Sequence, residues 1–257
     1  MVMTQERRIN FDIEQLSGAH SDIIPGSYIP IFSGHPWHEE FRNSCGYPAT
    51  YAKGCSPHGG SRGICDQFDG SHLIYLTRSA LEASCPNVDC NKSLKDCITP
   101  MFTEESVSAD YQADVQKPGF DGFAAIVSNE LVGFSWGYNY PLGHKDNAGS
   151  VWYNQAIDHL WSIGIDPEIC FYHNESGTSP AYQGRGMGTA LLKSMLDNTP
   201  PDRRFVVFRT INPSMVRCYE KVFEISLGDL KPIFKDPNPI KRQHWYALDL
   251  KRLNRKD

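Results

Sequence analysis

The segment from Ser179 to Leu192 reads SPAYQGRGMGTALL and places three glycines at alternate positions directly before a small, apolar run. Gly184, Gly186 and Gly188 leave the backbone bare and permit positive φ angles. A helix that begins here exposes unpaired amides and the positive end of its dipole. A strand that runs into such a turn therefore predicts a cradle for an anionic phosphate group.

Two common phosphate-binding loops do not fit this spacing. The dinucleotide fingerprint G-x-G-x-x-G requires a glycine at position 189, where this chain has Thr189. The P-loop of nucleoside triphosphatases requires a Gly-Lys pair followed by Ser or Thr, and the segment has no such pair. The pattern therefore excludes both motifs for this loop.

A third pattern does fit. Residues 183 to 188 read QGRGMG and resemble the Q/R-x-x-G-x-G/A acetyl-CoA loop of the GNAT superfamily of N-acetyltransferases. Members often carry an acidic residue, a proline and an aromatic residue before this loop, as Glu175, Pro180 and Tyr182 stand here. A second block, FRTINPSMVRCYEKVFE, is similar to the family's strand, asparagine and helix, with Asn212 and Tyr219 seven positions apart.

The resemblance covers about residues 123 to 223 and implies a GNAT-like twisted mixed sheet flanked by helices, in the mixed α/β class. It also implies acetyl-CoA as cosubstrate. The residues it assigns to cofactor binding are Thr178, Gln183, Gly184, Arg185, Gly186, Met187, Gly188, Thr189 and Asn212. The backbone N–H of Thr178 is expected to polarise the thioester carbonyl, and Arg185 to contact a phosphate.

Acetyl transfer to an amine requires a base for the ammonium proton and an acid for the departing thiolate. Glu175 occupies the family's acidic position and is the expected base. Strand alternation predicts His173 on the same face, and His173 stays open as the alternative. The resemblance assigns Tyr219 as the acid.

The function expected on this basis is N-acetyltransfer from acetyl-CoA to a primary amine of a small molecule or peptide, directly within a ternary complex. A noncatalytic acyl-CoA sensor or regulatory protein is the alternative. It would keep the phosphate loop while Glu175 and Tyr219 serve other roles.

Hydrophobic periodicity predicts a strand in RINFDIEQL, a hairpin in GFAAIVSNELVGFSWGY, and further strands in ICFYHNES, RFVVFRT, FEISL and HWYALDL. Helices are predicted near Tyr28 to Phe32, at 103–113, from Ser150 to about Ile163, in GTALLKSMLDN and in PSMVRCYEKV. We expect residues 1–257 to form a single GNAT-like domain, with 42–118 as an irregular Cys-rich insertion.

Six of the eight cysteines crowd the insertion at Cys45, Cys55, Cys65, Cys85, Cys90 and Cys97. Their spacing lacks the paired C-x2-C knuckles that are typical of zinc sites. Reduced thiols, disulfides and a degenerate zinc ribbon all stay open. We expect reduced thiols and assign no metal ligand, and we expect Cys170 and Cys218 to be packing residues.

The composition is that of a globular protein, with 40% hydrophobic and 21% charged residues. A net charge of -5 argues against a large nucleic-acid surface. The chain shows neither a membrane-spanning apolar run nor a secretory leader at MVMTQERRINFD, so a cytoplasmic location without membrane contact is expected. A homodimer is left open.

Overall fold

The structure is a computed structural model that describes residues 10–33, 41–45, 50–53, 73–76, 78–85, 87–142, 150–210, 212–235 and 244–253. Cys55 and Cys65 lie outside these ranges. The strands are β1 Asp12–Gln15, β2 Phe41–Asn43, β3 Thr50–Lys53, β4 Leu73–Leu76, β5 Ile98–Pro100, β6 Asp121–Val127, β7 Glu130–Asn139, β8 Cys170–Thr178, β9 Phe205–Thr210, β10 Phe234–Lys235 and β11 His244–Asp249.

The helices are α1 Ile24–Ser33, α2 Arg78–Leu81, α3 Leu94–Cys97, α4 Glu104–Val115, α5 Ser150–Ser162, α6 Met187–Asn198 and α7 Pro213–Val222. Asn212 caps α7, and Pro213 occupies its first turn, where a missing N–H costs nothing. None of the described helices is long and apolar enough to cross a membrane.

The central sheet has seven strands in the order β1-β6-β7-β8-β9-β11-β10. Neighbours are antiparallel except β8 and β9, which are parallel. The predicted hairpin is β6–β7, and its turn residues Ser128 and Asn129 both adopt positive φ, of 52° and 64°. That conformation matches the right-handed twist of the flanking strands. The predicted mixed sheet flanked by helices is confirmed.

Each face of this sheet is covered by helices. One face packs on α6 and α7 through a large cluster that includes Phe171, Leu191, Leu192, Met195 and Phe208. The other face packs on α1 and α4 around Phe134 and Trp136, and a separate cluster around Leu160 of α5 covers Tyr172 and Trp245. The cluster around Phe134 and Trp136 and the cluster around Leu160 are separate, and the candidate site lies between them.

The Cys-rich insertion contains more regular structure than its sequence indicates. A second sheet has four short strands in the order β4-β3-β2-β5. The predicted helix at 103–113 is α4, and the Thr103 side chain accepts a hydrogen bond from the Ser106 amide at 3.1 Å as its cap. Strands of three or four residues give too little periodicity to be seen in a Gly- and Pro-rich sequence.

The strand predicted in FEISL is wrong, because this segment forms the turn that ends α7. The Ile225 amide donates to the Glu220 carbonyl, and Glu224 adopts a left-handed φ of 53°, as in a Schellman motif. The buried Glu220 carboxylate then accepts from the Gly228 amide at 2.6 Å. The last strand before β11 is instead the two-residue β10.

Gly137 of β7 provides a test of how tightly this sheet is packed. A Cβ added there would meet the Tyr172 carbonyl oxygen and lie 2.6 Å from the Phe171 ring. We expect Gly137→Ala to lower the free energy of unfolding by roughly 1–3 kcal/mol in urea denaturation. Neither the Tyr172 backbone nor the Phe171 ring can move aside as the end of a flexible side chain could.

Gly26→Ala is the matched control. A Cβ on Gly26, in α1, meets nothing within 4 Å, and alanine favours a helix by about 1 kcal/mol. Equal unfolding midpoints for the two variants would contradict the packing that we describe at Gly137.

Candidate functional site

The parallel pair β8–β9 separates part-way along its length. Pairing begins at Cys170 with Phe205 and ends at His173 with Phe208. Beyond that point β8 continues to Thr178 and β9 to Thr210, while β8 stays paired with β7 as far as Gly133. The two strands therefore open a V-shaped gap in the middle of the sheet.

A cavity of about 230 Å³ occupies this gap, and we call it the splay cavity. Side chains of both strands, of α1, of α7 and of the segment before α4 surround it. Its lining consists of Tyr28, Phe32, Met101, Phe102, Tyr172, His173, Asn174, Glu175, Ser176, Phe208, Arg209, Thr210, Asn212 and Met215. The cavity is thus lined by residues from both faces of the sheet.

A β-bulge at the apex of the gap controls where Glu175 lies. Gly137 pairs with His173 but Trp136 pairs with Glu175, so Asn174 is an extra residue in β8. A one-residue insertion reverses the side-chain alternation beyond it. His173 contacts α7, whereas Asn174 and Glu175 line a cavity beside α4. The expectation that His173 and Glu175 share a face is therefore wrong.

His173 is buried at 4% exposure and links three elements. Its Nδ1 lies 2.6 Å from the Tyr219 hydroxyl, and its Nε2 lies 3.0 Å from the Ser135 hydroxyl. Burial lowers the pKa of His173 to about 4 because a charged imidazole is poorly solvated there. The side chain is therefore neutral at pH 7, with both ring nitrogens engaged.

Tyr219 has different surroundings from those that the family resemblance implies. Its side chain is fully buried and stacks on Phe208 with ring centroids 3.6 Å apart. Burial raises the pKa of its hydroxyl well above 10, so the group carries its proton at neutral pH. The Tyr219 side chain lines neither of the two cavities described here, and its hydroxyl meets His173 instead.

The glycine loop has the geometry that its sequence predicts. Gly184 and Gly186 adopt φ angles of 75° and 84°, and a Cβ on either would meet nothing within 4 Å. Gly186 is the N-cap of α6. Among the described residues, no protein carbonyl accepts a hydrogen bond from the amides of residues 184 to 189. The loop therefore presents open amides at a helix start.

The other predicted loop residues hold or flank this turn. The Gln183 side-chain amide donates to the Thr178 carbonyl at 2.9 Å, which fixes the loop to the end of β8. Arg185 is exposed, Met187 is buried in the core beneath the loop, and Thr189 donates to the Cys218 sulfur at 3.5 Å. The Met187 side chain therefore packs in the core, while its backbone amide belongs to the open amides of the loop.

Thr178 directs its backbone N–H away from β7. The Ser179 amide donates to the Val132 carbonyl at 2.8 Å, so Thr178 and Gly133 form a non-hydrogen-bonded pair. In such a pair both backbone groups point to the opposite strand edge. Because β9 has diverged by this point, the Thr178 N–H faces the gap.

Asn212 combines a structural contact with a position on the cavity wall. Its side-chain oxygen accepts from the Ser214 amide at 2.9 Å, which is an N-cap of α7. Its own amide donates to the Thr210 hydroxyl at 3.0 Å. Asn212 also lines the splay cavity.

A second cavity of about 270 Å³ lies beside α4, and we call it the acidic cavity. Asp110, Asp114 and Glu175 line it together with Lys117 and four aromatic residues, Tyr28, Tyr111, Trp136 and Tyr138. Asn174 and Glu175 line both cavities, so the two adjoin at the bulge. Burial and the neighbouring Asp114 charge raise the pKa of Asp110.

Asp114 connects three of the residues that line the acidic cavity. Its Oδ2 accepts from the Trp136 indole at 3.0 Å and from the Asn174 amide at 2.7 Å, while Lys117 contacts Oδ1 at 2.6 Å. Sequence reasoning did not find Asp110 or Asp114. The available signal was two carboxylates four positions apart at the end of the helix predicted at 103–113, with Asp114 one residue beyond that boundary. This spacing indicates a shared helix face but does not identify what the face contacts.

The fold is similar to that of several solved acetyltransferase structures. An acetyltransferase from Thermus thermophilus is 13% identical, with 94% of this chain and 98% of that chain covered and a TM-score of 0.46. The putative acetyltransferase yncA from Salmonella typhimurium, solved with acetyl-CoA, is 11% identical over 94% of each chain at a TM-score of 0.46.

A putative GNAT-family acetyltransferase from Desulfovibrio desulfuricans is 14% identical. The match covers 58% of this chain and 83% of that chain at a TM-score of 0.36. No protein-family model matches the chain, and no curated protein sequence matches it.

The buried His173 predicts a pH dependence of stability. Unfolded His173 takes up a proton below about pH 6.5, whereas folded His173 does so only near pH 4. The free energy of unfolding therefore falls as the pH is lowered through this window, by about 1.4 kcal/mol per pH unit from this residue.

His173→Gln keeps a hydrogen-bonding side chain but cannot titrate. We expect urea denaturation of this variant to lose that part of the pH slope between pH 6 and pH 4.5. Parallel stability curves for the wild type and the variant would show that His173 is solvated in the folded state.

Proposed function

We propose that this protein is an acetyl-CoA-dependent N-acetyltransferase that acts on a primary amine of a cationic small molecule or peptide. One observation carries the proposal: an open glycine loop at a helix start follows β8, and the gap beside β8 holds a cavity that shares Glu175 with an acidic, aromatic cavity. A phosphate-bearing thioester and an ammonium group fit the two ends of this arrangement.

The cofactor end suits coenzyme A. The amides of residues 184 to 188 and the α6 dipole receive the diphosphate, and the exposed Arg185 adds a charge-assisted contact. The pantetheine arm then follows the edge of β8 from which β9 has diverged, past Asn212. The Thr178 N–H supports this path, since it faces the gap and can donate to the thioester carbonyl.

The acceptor end suits a cation. Asp110, Asp114 and Glu175 contribute three carboxylates against the single Lys117 ammonium among the residues that line the acidic cavity. Aromatic rings add cation–π attraction for an ammonium or guanidinium group. Burial and the Asp114 charge raise the pKa of Asp110, and a bound cation would relieve that repulsion.

Glu175 stands where the two ends meet and acts as the base. The ammonium loses one proton to Glu175, and the free amine forms a bond to the thioester carbon. The attached nitrogen then gives its second proton to solvent as the carbon–sulfur bond breaks and the thiolate leaves. No cysteine lines either cavity among the described residues, which supports direct transfer in a ternary complex over an acyl-enzyme.

Tyr219 is proposed as the proton donor for the thiolate. Its raised pKa keeps it protonated, and Met215 of the same helix and the helix cap Asn212 line the splay cavity. In the structure the Tyr219 hydroxyl lies against His173, so donation requires the hydroxyl to leave that contact when the thioester is bound.

Binding of acetyl-CoA is tested by Gly186→Glu. The variant places bulk and negative charge among the open amides, and we expect isothermal calorimetry to show at least a hundredfold weaker affinity. Gly164→Glu is the matched control, because Gly164 has a φ of 77° and equally open surroundings but lies far along the chain from the loop. Equal loss in both variants would trace the effect to folding, and undiminished binding in Gly186→Glu would refute the cofactor site.

Catalysis is tested by release of CoA with a panel of alkylamines, aminoglycosides and peptide N-termini. We expect turnover with cationic acceptors, and we expect Glu175→Gln to reduce kcat by about 10²–10⁴-fold while acetyl-CoA affinity is kept. Tyr219→Phe is expected to reduce kcat.

If acetyl-CoA binds but no acceptor supports turnover, the result would favour a noncatalytic acyl-CoA sensor over a transferase. If Tyr219→Phe lowers only thermal stability, the tyrosine is a packing partner of Phe208 and His173.

A further inference from the structure

Four cysteine sulfurs meet at one point in the segment before α4. The Sγ atoms of Cys45, Cys85, Cys90 and Cys97 all lie within 4.8 Å of one another. Cys97 is central, at 3.2 Å from Cys45, 3.3 Å from Cys85 and 3.7 Å from Cys90. The Cys45 and Cys85 sulfurs are 3.7 Å apart. We call this group the four-cysteine cluster.

These distances distinguish a metal site from disulfides. Four thiolates at about 2.3 Å from a tetrahedral zinc ion lie about 3.8 Å from one another. Bonded disulfide sulfurs lie about 2.05 Å apart. In the cluster Cys97 is close to three sulfurs at once, whereas a disulfide pairs each sulfur with one partner. The arrangement is therefore that of four ligands around a common centre.

Backbone hydrogen bonds around the cluster hold the segments that carry the four cysteines next to one another. An antiparallel bridge joins Ser84 to Ser93 and closes a hairpin that carries Cys85 and Cys90, as in a metal-binding knuckle. The Cys85 amide donates to the Lys92 carbonyl at 3.0 Å. Across the cluster, the Ser44 amide donates to the Cys97 carbonyl at 2.6 Å. Three separate stretches of chain thus supply the ligands.

Among the side chains that the structure describes in this region, which exclude those of β3 and β4, the apolar core is small. Leu94 is the buried member of the hydrophobic cluster in this region, and Phe41, Leu81 and Ile98 are only partly buried against it. Strands of three or four residues with so little buried apolar surface rarely hold together in water. Small modules of this kind are commonly stabilised by a structural metal ion.

We propose that Cys45, Cys85, Cys90 and Cys97 bind one structural zinc ion. Zinc replaces the four thiol protons, which leave to solvent, and the resulting Zn(S-Cys)4 centre carries a net charge of −2. Closed sites with four sulfur ligands favour zinc over hard cations such as magnesium or calcium. The site is structural because the four ligands leave no open coordination position.

The experiment measures metal content of the full-length protein after exhaustive dialysis. We expect one zinc per chain by elemental analysis in the wild type. Cys90→Ser, at the more exposed edge of the cluster, should retain less than about a tenth of that zinc and unfold at a lower temperature. Cys218→Ser is the matched control, since this half-buried cysteine lies outside the cluster and should leave the zinc content at one per chain.

A second measurement remains informative if the serine variant does not fold. Zinc in the wild-type protein is exchanged for cobalt, and four thiolate ligands should give intense tetrahedral d–d and thiolate charge-transfer absorption. Added zinc should reverse it in a 1:1 titration.

A folded wild-type protein with no bound metal, or with iron in place of zinc, would overturn the assignment. Disulfides between cluster cysteines, found by mass spectrometry of the unreduced protein, would do the same.

Discussion

The candidate site depends on one feature of the sheet, the end of hydrogen bonding between β8 and β9 at His173 and Phe208. A parallel pair that continued would satisfy its amides and close the gap. Instead, the bulge at Asn174 changes the direction of β8, and the Asn174 side chain donates a hydrogen bond to Asp114. Further along β8, Gly177 admits α1 so closely that an added Cβ would lie 2.6 Å from Ile31. The gap is therefore built by contacts on β8 itself.

The apex of the gap is fixed by polar groups that are fully paired. Ser135 of β7, His173 of β8 and Tyr219 of α7 form a buried chain in which the imidazole is neutral. Buried polar networks stabilise a unique arrangement when every member has a partner and destabilise it when one is lost. His173 therefore links β8 to β7 and α7 through its two ring nitrogens. Because both nitrogens are engaged, we favour Glu175 over His173 as the proposed base.

The sequence predicts the parts of this structure that local signals control. The Ser128-Asn129 turn, the glycine loop before α6 and the Pro213 start of α7 each depend on neighbouring residues, and each is found as predicted. FEISL has a strand-like composition, but the helix-ending motif at Glu224 prevails.

Features that depend on contacts between residues far apart in the sequence could not be predicted from local patterns. The bulge depends on register against β7, and the acidic cavity joins Asp114 to Asn174, 60 positions away. The four-cysteine cluster likewise joins Cys45 to Cys97 across 52 positions, a separation that no knuckle pattern covers.

The proposed cofactor site and the proposed acceptor site are held by separate parts of the chain. The glycine loop rests on the α6 core through Met187, far from the insertion. The segment that leads to the acidic cavity begins just after Cys97: β5 pairs with β2, Phe102 packs edge-on against Tyr28 at 5.3 Å, and α4 follows with Asp110 and Asp114. Because only a few residues connect the cluster to Phe102, whatever fixes the four cysteines also fixes the cavity wall. On the proposed function, changes in the segment around the four-cysteine cluster would therefore alter acceptor selection and leave the proposed diphosphate site at the glycine loop intact.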